Sequence, residues 1–258
     1  QPVTPEIKLI GANRDRDDVL AGETVLLTLF WQAGQKPAQD YAATIELISA
    51  QNQAVLRREF PLGAGRYPTT QWNVNEQIVD LDRVRVPIDL AEGIYRWRVS
   101  IGNGEPIGLG DLRVAAPDRL FAVPPIAHAL NQTLSERVTL LGVETSHCEA
   151  RGEDCHVKLW WRAEQDIPES YKVFVHLRDM NGVPRAQADM IPVNGARPTW
   201  SWLPGEILAD ELVVKIPADL SAGRYRLTAG LYHELDGVRL TLPDGKDFIE
   251  LTTIEIEP

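Results

Sequence analysis

Leu27-Thr28-Leu29-Phe30-Trp31-Gln32-Ala33 and Val157-Lys158-Leu159-Trp160-Trp161-Arg162-Ala163 are two versions of one strand. In both, an apolar residue returns at every second position, and a period of two belongs to a β-strand with one buried face. The two stretches align from Trp31 to Trp161, an offset of 130 residues, and the register persists outward. Tyr41 pairs with Tyr171, Leu47 with Leu177, Pro68-Thr69 with Pro198-Thr199, Trp72 with Trp202, Glu76 with Glu206 and Asp80 with Asp210. The run from Pro87 to Arg96 matches the run from Pro217 to Arg226. Repeats of a solenoid span about 20 to 50 residues, so so long a period indicates a duplicated domain.

Each copy reads as antiparallel β-structure. Tyr41, Ala43, Ile45 and Leu47 alternate with smaller or polar neighbours, as do Tyr95, Trp97, Val99 and Ile101, and no twelve-residue segment holds a helical period. Asp-Leu-x-x-Gly-x-Tyr occurs at Asp89 to Tyr95 and again at Asp219 to Tyr225, in the manner of a tyrosine corner. The expected fold is therefore all-β, two tandem immunoglobulin-like or fibronectin-like β-sandwiches with Trp31 and Trp161 in their cores. Small residues and prolines between Ala115 and Pro125 interrupt the pattern, which sets the domains at 1–118 and 119–258.

Composition narrows the function. The chain has 258 residues, is 44% hydrophobic and 24% charged, and carries a net charge of -11, which repels nucleic acid and anionic lipid. No apolar run approaches the roughly 20 residues of a membrane span. The start at Gln1, without a basic and then apolar leader, suits either a processed secreted protein or a piece of a longer one. Cys148 and Cys155 flank a Gly-containing turn, and in an oxidising compartment a disulfide is the better reading. The alternative is zinc held by these thiols with His147 and His156, although the spacing matches no zinc finger.

Arg119-Leu120-Phe121, Pro124-Pro125-Ile126, Leu140-Leu141-Gly142, Leu159 to Ala163, Tyr171 to Leu177, Trp202 to Glu206 and Ala222-Gly223-Arg224-Tyr225 carry a further likeness. Together they resemble a β-sandwich module of surface and membrane proteins of filamentous green non-sulphur bacteria. There the module often follows the membrane region of glycosyltransferase-like proteins. The resemblance covers residues 119–256 well and 5–114 more weakly, and it implies an extracytoplasmic bacterial accessory module with no assigned biochemical role. The first copy departs from it where Asn73-Val74-Asn75 replaces Leu203-Pro204-Gly205 and where no strand precedes the equivalent of Leu140.

Signals for chemistry are few. Five histidines are scattered without an HExxH, GxSxG or phosphate-loop spacing, so no enzyme and no cofactor are expected. The aspartates of Asn13 to Asp18 have calcium-ligand chemistry, but the interleaved arginines suit a solvated loop. Trp202 recurs as Trp72 and reads as a plug at the end of the core, whereas Trp200 replaces Thr70 and is freer to meet a ligand. If Trp161 and Val173 point inward, alternation sends Trp160, Phe174 and His176 outward, flanked by Lys158, Arg162, Lys172 and Arg178. The expected outcome is an aromatic and basic face on one sheet of the second copy, either a binding surface or a buried interface.

Matching Ile107 to Ile249 raises the offset to 142, so the second copy has twelve added residues near its end. Their alternation and the Pro243-Asp244-Gly245 turn predict an extended hairpin presenting His233, Arg239 and Asp244 to a partner. The sequence thus favours a non-enzymatic cell-surface binding module, with carbohydrate or another protein chain as its partner. The alternatives are a self-associating structural subunit of a surface assembly and an accessory domain of a larger glycosyltransferase-like membrane protein.

Overall fold

The computed structural model describes residues 6–102 and 104–257. The chain is all-β and divides into two compact units, Gln1–Pro117 and Asp118–Pro258. Three short 3-10 turns, Leu62–Gly65, Thr69–Gln71 and Thr199–Ser201, are the only helical elements among the described residues. No helix there is long and apolar enough to cross a membrane.

In the first unit the strands are β1 (Ile7–Arg14), β2 (Asp18–Leu20), β3 (Thr24–Ala33), β4 (Ala42–Ile48), β5 (Ala54–Pro61), β6 (Gln77–Arg85), β7 (Gly93–Ile101) and β8 (Ile107–Ala115). One sheet has the order β1-β3-β6 and the other β2-β8-β7-β4-β5, with β2 parallel to β8. The second unit has β9 (His128–Leu134), β10 (Val138–Ser146), β11 (Asp154–Ala163), β12 (Tyr171–Arg178), β13 (Pro184–Met190), β14 (Ile207–Lys215), β15 (Gly223–His233) and β16 (Ile249–Ile256). Its sheets run β14-β11-β10-β9 and β13-β12-β15-β16.

Alternation decides what is buried. Val25, Leu27, Leu29 and Trp31 of β3 face a core shared with Ala43, Ile45 and Leu47 of β4, and Val157, Leu159 and Trp161 of β11 face Val173, Val175 and Leu177 of β12. Trp31 and Trp161 are both fully buried. Truncating an aromatic side chain in such a core costs about 3–5 kcal/mol.

Several hydrogen bonds of the first unit have a counterpart in the second at the 130-residue offset. The Thr69 hydroxyl donates to Gln39 O at 2.8 Å and accepts the Tyr41 amide at 3.0 Å; Thr199 does the same with Glu169 O at 2.8 Å and Tyr171 at 2.9 Å. The Trp72 indole donates to Tyr67 O at 2.9 Å and the Trp202 indole to Arg197 O at 2.8 Å. Both plugs are buried. The Tyr95 hydroxyl donates to Ala91 O at 3.0 Å and that of Tyr225 to Ser221 O at 2.9 Å, so each motif Tyr ties its strand to the loop before it. Bulges also recur, between Leu47 and Ile48 as between Leu177 and Arg178, and between Trp97 and Arg98 as between Leu227 and Thr228.

Where the copies differ, the backbone explains the exchange. Gly205 and Asn75 both take left-handed φ values, 81° and 66°, and both donate their amides to the end of a core strand, Ala163 O of β11 and Ala33 O of β3. Asn is among the few residues other than Gly that adopt this region readily, so the Asn73-Val74-Asn75 turn keeps the geometry of Leu203-Pro204-Gly205. The strand absent before the equivalent of Leu140 is β9, which pairs with β10 from Leu134 to His128.

Cys148 and Cys155 form a disulfide with a Cα separation of 4.3 Å, closing the loop between β10 and β11. The sulfurs are spent in that bond, which removes the zinc alternative. Among the described residues no group of three or more His, Cys, Asp or Glu side chains is arranged to hold a metal ion.

Asp80 and Asp210 hold the loop after the fifth strand of each unit, β5 and β13. Asp80 accepts the Gly63 and Ala64 amides at 3.1 and 2.9 Å, and Asp210 accepts the Val193 amide at 2.7 Å. Burial pushes Asp210 up to about 6, against the opposing pull of the Val193 amide, and its second oxygen is buried without a partner. In the unfolded chain the group titrates near 3.8, so the folded unit holds the proton more tightly and stability declines as pH rises from about 4 to 6. The ionised group costs on the order of 3 kcal/mol above that window. Asp210→Asn keeps an acceptor for Val193 and is expected to melt several degrees above the parent at pH 8 and level with it near pH 4. An equal offset at both pH values in calorimetry rules this account out.

Candidate functional site

The outward residues of β11 form a line, His156, Lys158, Trp160 and Arg162. Register places each between partners on β10 and β14. Lys158 lies between Glu144 and Glu211, Trp160 between Gly142 and Ala209, and His156 between Ser146 and Val213. Trp160 is thus flanked by two of the smallest side chains on the sheet and stays half-buried. Gly142 has a further reason to lack a side chain, because a Cβ there would meet His128 O at 2.3 Å and the Ile126 side chain at 2.5 Å. The chain at residues 126–129 therefore crosses close over Gly142 and walls the tryptophan on that side.

The ring's polar contacts are specific. Its indole N–H donates to Glu144 at 3.1 Å, and the Lys158 ammonium stands 4.8 Å from the ring centroid while approaching Glu211 at 3.8 Å. An exposed cation–π contact is worth about 0.5–1 kcal/mol and an exposed ion pair no more, so Lys158 is weakly tethered and moves at little cost. Beside it lies an open cavity of about 380 Å³ lined by Glu144, Thr145, Ser146, His156, Val157, Lys158 and Glu211. Its lining holds carboxylates, hydroxyls, an imidazole and an ammonium. Arg162 continues the line and pairs with Glu164 at 2.8 Å.

Phe174 and His176 do not belong to this face. Strict alternation does turn them away from the core, but β12 sits in the opposite sheet from β11, so their outward direction is the other surface of the unit. Nor are they exposed. Phe174 is fully buried and His176 is 5% exposed, which corrects the expectation of one continuous aromatic surface.

The cover is the twelve-residue insertion. Residues 238–240 pair back on the end of β15, with Leu240 N on Leu231 O at 2.9 Å and His233 N on Val238 O at 2.7 Å. Leu240 enters the core, and Thr241 bonds twice to Ser135, in the turn joining β9 to β10 of the other sheet. The same stretch lays Arg239 4.3 Å over the Phe174 ring, and the returning segment sets Phe248 4.7 Å from the Arg178 guanidinium. Phe174 lies over Gly230, its partner on β15, where a Cβ would meet the ring at 2.5 Å. Burial, with Arg178 and Arg239 nearby, pulls His176 down to about 4 and keeps the imidazole neutral beneath the strap.

Arg239 is thus committed within its own unit, paired with Asp247 at 3.0 Å. His233 bonds Asp236 at 2.8 Å, and Asp244 holds the turn through the Lys246 amide at 3.1 Å. Trp200 is half-buried in the Thr199–Ser201 turn between β13 and β14, off the strands that carry Trp160. Glu144 and Glu211 were missed from sequence, and His156 was weighed there only as a zinc ligand. Each occupies an outward position of its strand, but nothing in the sequence says that β10 and β14 flank β11.

One further buried group proves structural. Glu206, with no exposure, receives Arg119 and Arg197 at 2.5 Å each and caps the Leu203 amide at 2.9 Å. Neither protein-family models nor curated proteins give a match to this sequence.

Phe174→Ala is expected to destabilise the second unit by about 3–5 kcal/mol, since the ring supports both the strap and Gly230. Limited proteolysis should then cut within residues 233–248 before any other site. A variant whose first cut lies elsewhere shows that Phe174 does not hold the strap.

Proposed function

We propose that this chain is a non-enzymatic, extracytoplasmic binding module built from two immunoglobulin-like β-sandwiches, and that its second unit binds carbohydrate at Trp160. The observation that carries the reading is the half-buried indole set between Gly142 and Ala209, with Glu144, Lys158, Glu211 and His156 around the adjoining cavity. A sugar ring presents an apolar face of C–H groups, which suits an indole, and a rim of hydroxyls, which suits carboxylates and an ammonium as acceptors and donors. The cavity's size falls at the lower end of small-ligand sites, about 300–1,000 Å³.

Support for the fold reading comes from strand order. Strands 1, 3 and 6 make one sheet and 2, 8, 7, 4 and 5 the other, both enclosing one core, and a tyrosine corner stands before the seventh strand. A buried disulfide favours an oxidising compartment. The binding role is favoured over catalysis because the buried ionisable groups are engaged structurally, Glu206 with two arginines, Asp210 with a loop amide and His176 under the strap. Membership of a larger surface or membrane protein, as an accessory domain, is compatible with this role.

Trp160→Ala is expected to weaken retention on a glycan array or in affinity electrophoresis at least tenfold, about 1.4 kcal/mol, with an unchanged melting temperature. Glu211→Gln should reduce binding less. If the parent protein retains no glycan, or the Trp160 variant retains it as well as the parent, the carbohydrate reading is wrong.

A further inference from the structure

The tip of the strap hairpin carries an apolar side chain that its own turn does not need. Leu235 is 89% exposed and Val238, three residues on, is 63% exposed. The turn is held by polar bonds, Gly237 N to His233 O at 2.9 Å and Val238 N to the Asp236 carboxylate at 2.9 Å. Glu234 and Asp236 stand on either side of Leu235, each with a partial partner, Lys172 at 3.7 Å and His233 at 2.8 Å. The tip is an apolar knob in an acidic collar.

The first unit offers the opposite character on the outer face of β1-β3-β6. Ile10, Val79 and Leu81 are 46%, 53% and 61% exposed. Register gathers them, with Phe30 between Gly11 and Val79 and Thr28 opposite Leu81. Lys8 at one end and Arg83 and Arg85 at the other are exposed, and Asp15 at the same edge is already bonded to Arg16 and the Leu26 amide. The fold does not require this surface. In the second unit the counterparts of Val79 and Leu81 are Ala209 and Glu211, and Leu141, beside Gly142 as Ile10 is beside Gly11, is 2% exposed.

We propose that the Leu235 knob of one copy of this chain docks on the Ile10, Phe30, Val79 and Leu81 face of a second copy. The apolar groups supply the contact, and the carboxylates of the collar meet the lysine and arginines of the face. Anionic lipid is disfavoured as the knob's partner, because Glu234 and Asp236 oppose it. The two surfaces differ, so the contact is heterologous and repeats from copy to copy, giving a ring if it closes and an open chain if it does not. This surface is separate from the Trp160 site, and the proposal stands whatever that site binds.

Sedimentation velocity on the full chain tests it. The parent's mass is expected to rise with protein concentration and to fall at high salt. Leu235→Asp and Leu81→Asp should each be monomeric with unchanged melting temperatures, and Val238→Asp should weaken association as a second variant of the knob. Mixed, the two blocked chains retain one intact knob and one intact face between them, so they should form a 1:1 dimer and nothing longer. A monomeric parent at every concentration, association that survives Leu235→Asp, or blocked variants that do not pair would each overturn the proposal.

Discussion

A sandwich depends on the connections that carry the chain from one sheet to the other, and here each unit fixes one with the same short motif. In Pro-Thr-x-x-Trp the threonine hydroxyl accepts the amide that starts β4 or β12 and donates to the carbonyl two residues earlier. The tryptophan three residues on fills the end of the core and donates its indole N–H to the loop that led there. Polar groups of an irregular segment are thereby satisfied while the largest apolar side chain is buried, and both conditions must hold for a loop to pass over a core. With that crossing fixed, β6 and β14 enter their sheets in the register that places Asp80 and Asp210 under their loops.

Much of the fold was legible in the sequence because it rests on local rules. Period two identified the inward faces of β3, β4, β11 and β12, the tyrosine motif foretold the bonds of Tyr95 and Tyr225, and spacing around a turn foretold the disulfide. The copies also checked one another. Trp72 identified Trp202 as a plug, because a ligand-binding tryptophan has no reason to recur where its neighbours change.

The site was legible only as far as direction. Alternation states whether a side chain faces its core, and it gave the outward position of Trp160 correctly. It does not state which sheet a strand joins or what lies above it. Phe174 and His176 were therefore grouped with Trp160 although a core separates them. One clue was present, since Gly230 sits in the interior of β15, and an interior glycine marks close approach by another group. That group is the Phe174 ring, and the strap lies over both.

The strap also sets the two units apart in how they bear load. Thr241 and Ser135 exchange two hydrogen bonds between segments belonging to opposite sheets, and Leu240 is driven between them. In the first unit the corresponding connection, residues 102–106, is too short for such a cross-tie. Sliding one sheet over the other in the second unit must break the tie and withdraw a buried leucine in the same step, whereas the first unit joins its sheets through arginine side chains, Arg58 on Arg83 O at 2.6 Å and Arg14 on Leu109 O. Load that shears the sheets of the second unit is therefore carried by this backbone tie and the buried Leu240 together.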